Sequence, residues 1–163
     1  DVRVPVKNRI GDENRGWYVG TTTLDFERSS IGSAIGVRKQ LEGLIRQAKA
    51  GGEASFNRNP KVKTEFADRW IECEVAKMLS YRVVSMQANG KIPNHEASMC
   101  KLFSSEMSQR IAALSMHMFG MHGNMRNRAS MGYMQAVSST IAGGTTEVQK
   151  GIIATRGLGL PRG

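Results

Sequence analysis

Apolar residues recur at the spacing of an α-helix along three long stretches, and this repeat constrains the fold more than any other feature. The first stretch runs from about Trp17 to Ala50, the second from Pro60 to Asn89, and the third from about Asn94 to Phe119. Shorter helical patterns follow around Ala129–Val137 and from Thr146 to about Arg156. Long amphipathic helices joined by short loops predict an all-α domain of the up-and-down four-helix-bundle type.

Each stretch carries one apolar row that we expect to face a common core, and 163 residues are enough to bury one. The predicted rows are Leu24, Ile31, Ile35, Leu41, Leu44 and Ala48; Val62, Phe66, Trp70, Cys73, Ala76, Leu79, Val83 and Met86; and Phe103, Met107, Ile111, Leu114 and Met118.

The chain opens with a different pattern. Val2, Val4 and Val6 alternate with polar residues and a proline, which predicts a short, half-exposed strand. No second strand pattern follows, so we expect this strand to belong to a sheet that the chain does not contain. Residues 1–16 are therefore predicted to be the end of a β domain and its linker, and residues 17–163 the helical domain.

The formal charge of +9 is compatible with a partner that carries several phosphates. The basic residues are spread along the chain without a basic run, which favours a solvated surface over a nucleic-acid site. Cys73 and Cys100 lack metal-ligand spacing and are predicted to be reduced core thiols. Such thiols indicate a reducing compartment, either the cytoplasm or the mitochondrial matrix. No stretch is long and apolar enough to predict a membrane span.

The segment Ser139–Gln149 has the composition of a ligand-binding turn. Gly143 and Gly144 would let the backbone approach a ligand closely, and Thr145 or Thr146 could cap the helix that follows. The free N–H groups of a first helical turn can hold a phosphate or another anion. The alternative is an ordinary loop that leads into a terminal helix.

A second candidate lies near the start of the first helix. Glu27 shares a helical face with Leu24 and Ile31, and a desolvated carboxylate there would have its pKa raised towards that of a general base. The alternatives are that Glu27 pairs with a neighbouring base such as Arg28 or turns to solvent. His117 and His122 lack further ligands at metal spacing, which favours a polar helix end over a metal site.

In order and separation, these motifs resemble the C-terminal domain of the flavin-dependent acyl-CoA dehydrogenases over essentially the whole chain. The resemblance implies FAD as cofactor, an acyl-CoA thioester as substrate, an electron-transfer flavoprotein as acceptor, and a homodimer or homotetramer. It also implies a helical domain and a middle β domain before this one, and neither nucleic acid nor a membrane span. The segments that carry it are Leu24–Arg28, Ala142–Gln149 and Ile152–Ala154.

The resemblance also implies site residues. In many members the base is a glutamate at the position of Gly143, whereas in a second branch it lies where this chain has Glu27. Glu27 is thereby implied to remove the α-proton, while the Gly143 N–H polarises the thioester carbonyl. Arg28 and Gly144 are implied to lie on the substrate side.

For the flavin, the resemblance implies contacts from Thr145 and Glu147 and, across a subunit interface, from the turn containing His117 and Gly120. His117 replaces the usual glutamine. Of the family's Arg-x-x-Phe-Gly motif only Phe56 is present. A non-catalytic assembly subunit with the same fold, and a helical nucleic-acid binder suggested by charge alone, are the alternative functions.

Overall fold

The computed structural model describes residues 1–27, 31–52 and 60–162, including their side chains except at positions 24–27 and 31–33. Short 3-10 turns lie at Val6–Asn8 and Gly120–Asn124, and a π-helical turn at Ile153–Gly157. The α-helices are α1 (Gly16–Glu27), α2 (Ile31–Ala50), α3 (Lys61–Ala88), α4 (His95–Phe119), α5 (Arg128–Ser139) and α6 (Thr146–Ile152).

Local sequence sets the helix ends. Gly51 and Gly52 have φ angles of +92° and +80°, which favour glycine, and they end α2 as predicted. Asn127 caps α5, since its Oδ1 accepts from the N–H groups of Ala129 at 2.8 Å and Ser130 at 3.1 Å. The Ser130 hydroxyl accepts from the Asn127 N–H at 3.1 Å, which completes a capping box.

Helix α4 is the central element of the bundle, because it packs against α2, α3, α5 and α6. The predicted all-α bundle is confirmed. Each fully buried aliphatic side chain on α4 stabilises the fold by about 1.5–3 kcal/mol relative to an exposed one. The main core consists of Ala34, Leu41, Leu44, Ala48, Val62, Phe66, Cys73, Ala76, Met107, Ile111, Leu114 and Met118.

Two arginines link neighbouring helices at the edge of this core. Arg38 on α2 donates to Glu74 on α3, and its guanidinium stacks over the Trp70 ring at 4.6 Å. Arg110 on α4 donates from Nε to Glu72 on α3 at 2.8 Å. Each arginine pairs with a carboxylate on α3, so the two contacts connect both α2 and α4 to that helix.

One sequence prediction is untested and another was wrong. Residues 1–5 form no strand among the described residues, where Val2 and Val4 are 92% and 66% exposed, but the strand was predicted to pair with a sheet outside this chain and so stays a prediction. Ile35 was predicted to face the core but is 51% exposed, because its side chain lies beside the core row that Ala34 and Leu41 occupy.

Candidate functional site

The Gly143–Gly144 turn connects α5 to α6 and has a backbone that favours glycine. The φ angles are +70° at Gly143 and +103° at Gly144. The Thr146 N–H donates to the Thr140 carbonyl at 3.1 Å, which closes the loop that contains both glycines. The sequence prediction of a glycine turn that leads into a helix is therefore confirmed.

Two buried side chains hold this turn from the core side. Lys101 on α4 donates from Nζ to the Gly144 carbonyl at 2.6 Å. Gln149 on α6 donates from Nε2 to the Gly143 carbonyl at 2.9 Å and more weakly to that of Gly144 at 3.5 Å. Lys101 is 8% exposed and Gln149 is fully buried. We refer to Lys101 and Gln149 as the carbonyl clamp.

The carbonyl clamp also explains why position 144 holds glycine. A Cβ added to Gly144 would lie 2.5 Å from Nε2 of Gln149, closer than real Cβ contacts. Sequence reasoning missed both clamp residues. The signal was present for Lys101, which lies four residues after buried Ala97 and three before buried Ser104, on the inner face of α4.

The start of α6 presents a capped backbone and an ionised carboxylate. Thr145 is the N-cap, and its Oγ1 accepts from the Val148 N–H at 3.3 Å. Hydrogen bonds from its own backbone N–H, and then from the Thr145 hydroxyl, lower the pKa of Glu147. Glu147 is exposed and therefore offers a charged acceptor for hydroxyl or N–H groups.

A groove of about 560 Å³ lies beside the helix start, between α4, α5 and the loop. Gln109 donates to the Thr140 hydroxyl at 3.2 Å and so ties α4 to the loop at this groove. Charged groups, an aromatic ring and hydroxyls suit it to a ligand with a flat or apolar part and several hydroxyls. Its lining is Glu106, Gln109, Arg110, Ala113, Tyr133, Val137, Thr140, Thr146 and Glu147.

The other flavin candidates lie at the far end of α4. Gly120 ends the helix with φ +52°, and the exposed His117 has its Nδ1 3.6 Å from Oε2 of Glu65. At about 1.5 Å per residue, His117 lies about 24 Å along α4 from Lys101. Within one chain, the structure brings Gly143, Gly144, Thr145 and Glu147 together, and His117 and Gly120 are remote from them.

Three predicted site residues are not tested by this geometry. Glu27 is the last residue of α1, but its side chain lies outside the described part of the structure, and so do Arg28 and Phe56. Among described residues, no group of three or more His, Cys, Asp or Glu side chains could hold a metal ion. No described helix combines the length and apolar character needed to cross a bilayer.

Comparison with known proteins identifies the family. The family model for the acyl-CoA dehydrogenase C-terminal domain matches residues 14–158 of this sequence. The chain belongs to the acyl-CoA dehydrogenase family. The resemblance read from the motifs and the all-α fold is confirmed, and the Gly143–Gly144 turn lies inside the matched acyl-CoA dehydrogenase domain.

Individual relatives agree with this assignment. The chain is 30% identical to acyl-CoA dehydrogenase FadE26 of Mycobacterium tuberculosis, over 99% of the chain and 44% of that protein. It is 32% identical to the caffeyl-CoA reductase-Etf complex subunit CarC of Acetobacterium woodii, over 94% of the chain and 42% of that protein. A solved variant of the Tcur3481-Tcur3483 steroid acyl-CoA dehydrogenase is similar with a TM-score of 0.85, 26% identity and coverage of 99% and 44%. The chain thus spans less than half the length of these acyl-CoA dehydrogenase relatives.

Proposed function

We propose that this chain is the C-terminal part of a longer acyl-CoA dehydrogenase that introduces a double bond between the α- and β-carbons of an acyl-CoA thioester. The observation that carries the proposal is the clamped Gly143–Gly144 turn, which opens onto Thr145 and Glu147 inside the domain that defines the family. This turn leads into Thr146 and the ionised Glu147, which line one groove. The chemistry requires such groups to bind a thioester and a polyhydroxylated cofactor.

In this proposal Glu27 removes the α-proton of the substrate. The position used for the base in the other branch of the family holds Gly143, which has no side chain, so the carboxylate must come from elsewhere. The Gly143 N–H donates to the thioester carbonyl and stabilises the negative charge that develops on its oxygen as the proton leaves. Arg28 and Gly144 complete the substrate side.

FAD is the cofactor in this proposal, and when bound it supplies the acceptor for the β-hydride. Thr145 and Glu147 fit that group, because an ionised carboxylate and a capped helix start provide the acceptor and donor that sugar and ribityl hydroxyls need. Phe56 would add an apolar contact. His117 and Gly120 would have to contact the cofactor of a second copy, since they lie at the far end of α4 from Thr145.

Association with other proteins is part of the proposal. A relative is named as a subunit of a reductase-Etf complex, which supports an electron-transfer flavoprotein as acceptor. A homodimer or homotetramer is supported by an exposed apolar row on α3, formed by Ile71, Val75 and Met78 and bordering a shallow groove of about 610 Å³. We expect Met78→Lys to lower the sedimentation mass, whereas Lys63→Met, at another exposed position on α3, should leave it unchanged.

The decisive experiment uses the full-length protein loaded with FAD. Anaerobic addition of a panel of acyl-CoA thioesters should bleach the oxidised flavin absorbance, and Glu27→Gln should abolish bleaching while the flavin stays bound. The matched control is Glu13→Gln, which removes an exposed carboxylate paired with Arg9 on the surface. Bleaching at an unchanged rate in Glu27→Gln would exclude this residue as the base.

The second candidate is a non-catalytic assembly subunit. It is favoured by one observation: where the family's diphosphate motif has arginine, this chain has Glu53, and a carboxylate repels a diphosphate. A full-length protein that stays colourless with added FAD, yet forms a stable complex with a flavin-bearing homologue, would support this role. Stoichiometric FAD in the purified protein would refute it.

A further inference from the structure

We propose that Lys101 and Gln149 are positioning residues for the reaction, and this inference rests on the proposed function. They fix the Gly143–Gly144 turn from behind so that its peptide N–H groups face the ligand. Neither side chain touches substrate or cofactor in this proposal. They act through the backbone, with one buried donor on each of two successive carbonyls.

Peptide geometry converts this contact into an orientation. In a trans peptide the C=O and N–H groups point in opposite directions, and the chain has no cis peptide among its described residues. The Gly143 carbonyl shares its peptide unit with the Gly144 N–H, and the Gly144 carbonyl shares its unit with the Thr145 N–H. When Gln149 and Lys101 hold the two carbonyls towards the core, both N–H groups are turned away from it.

These two N–H groups remain available on the outer side. Within the described residues, no backbone carbonyl accepts a hydrogen bond from the N–H of Gly144 or Thr145. Gly143 is exposed and Gly144 and Thr145 are half-buried, so a ligand can reach them. The proposed function places the Gly143 N–H on the thioester carbonyl, and we infer that these two N–H groups, which follow it directly in the chain, add further backbone donors for the developing negative charge.

Charge adds to the orientation. A hydrogen bond from an ammonium group is roughly twice as strong as one between neutral groups, and it acts here in a buried, weakly screened setting. Lys101 therefore polarises the Gly144–Thr145 peptide and makes the Thr145 N–H a better donor.

The environment of the Gln149 side chain indicates that it acts as a hydrogen-bond donor and does more than fill space. Its side chain is fully buried, its Nε2 serves the two carbonyls, and its Oε1 has no hydrogen-bond partner among the described residues. Burying an unpaired acceptor costs stability, which an aliphatic residue of the same size would avoid. The amide is therefore useful at this position as a donor to the turn.

The test compares Lys101→Met, Lys101→Arg and Gln149→Met in the full-length protein. Lys63→Met and Gln135→Met serve as matched controls, because they make the same changes at exposed positions. For flavin reduction by an acyl-CoA, we expect kcat to fall about 10- to 100-fold in Lys101→Met and Gln149→Met, with KM changed less than about threefold. Lys101→Arg, which keeps the charge and the donor, should recover most of the rate.

Hydrogen–deuterium exchange of the segment 139–149 gives a readout that needs no substrate. The Thr146 N–H is protected by the Thr140 carbonyl, so loss of the clamp should speed its exchange about 10- to 100-fold, with no change in the controls. Unchanged exchange in both Lys101→Met and Gln149→Met would overturn the clamp. Faster exchange with an unaltered kcat would overturn the positioning role. If the unchanged protein reduces no flavin, that role falls with the proposed function, while the exchange rates still decide whether the clamp exists.

Discussion

Replacing Gly144 with alanine should destabilise the fold much more than the same change at its neighbour Gly143. Both residues have positive φ, so alanine costs about 1–2 kcal/mol of backbone strain at either position. At Gly143 the new methyl group would meet only Cε of Lys101, at an ordinary 3.9 Å. At Gly144 it would lie 2.5 Å from Nε2 of Gln149 and must displace a buried donor.

The displaced donor sets the size of the difference. Losing the hydrogen bond from Gln149 to the Gly143 carbonyl, now 2.9 Å long, costs about 1–3 kcal/mol because the Gln149 donor is buried and the bond is partly buried. The free energy of unfolding should therefore fall by about 2–5 kcal/mol in Gly144→Ala and by about 1–2 kcal/mol in Gly143→Ala. With a urea m-value of about 2 kcal/mol/M, the midpoints should fall by about 1–2.5 M and about 0.5–1 M.

Urea unfolding followed by tryptophan fluorescence measures both values. Trp70 packs against the core and reports unfolding, whereas Trp17 is 79% exposed and contributes little change. Equal m-values in the two variants are required for the comparison, since a changed m-value means a changed denatured state. Midpoints for Gly144→Ala and Gly143→Ala that agree within error would refute the argument that Gln149 occupies the space behind the turn.

Three further predictions follow from single contacts. Arg110→Met should lower the free energy of unfolding by about 1–3 kcal/mol, because its partner Glu72 on α3 is only 20% exposed. In the same urea assay, Arg9→Met, which breaks an exposed ion pair, should lower it by less than about 1 kcal/mol. Burial raises the pKa of Cys73 to about 11, so about one thiol in a thousand is ionised at pH 8 and native alkylation, followed by mass spectrometry, should be far slower than in urea. The stability due to that protonated thiol is complete below about pH 9 and is lost as the pH rises towards about 11. Thr145→Val should raise the pKa of Glu147 towards its ordinary value, as measured by carbon NMR. The Glu147 carboxylate stabilises the fold above its unfolded-state pKa and loses this effect on acidification, and the substitution should make that contribution smaller.

The helices of this fold could be predicted because their signals are local. Apolar rows at helical spacing located α3, α4 and α5 to within a residue or two. Pro60 marked the start of α3, Asn89 and Gly90 marked its end, and a paired glycine marked the end of α2. The strand at Val2–Val6 stays a prediction, because alternation describes only one side of a pairing and the hydrogen bonds of a strand come from a neighbour.

The candidate site was predictable only in part. The turn, its cap and Glu147 are contiguous in sequence, so their local chemistry could be read directly. Lys101 lies more than forty residues away from Gly144, and only packing of α4 against α6 brings it there. No local rule contains that contact, although a lysine among the buried positions of a helix indicates that its charge has a partner.

The length of α4 has a consequence for how the domain responds to mutation. About 24 Å separates the residues at His117 from those at Lys101, and sites that far apart with no shared partner contribute additively to the free energy of folding. A double-mutant cycle between His117 and Lys101 should therefore give a coupling energy of zero in an isolated chain. A non-zero coupling energy would indicate that a bound molecule or a neighbouring copy of the chain connects the two ends of α4.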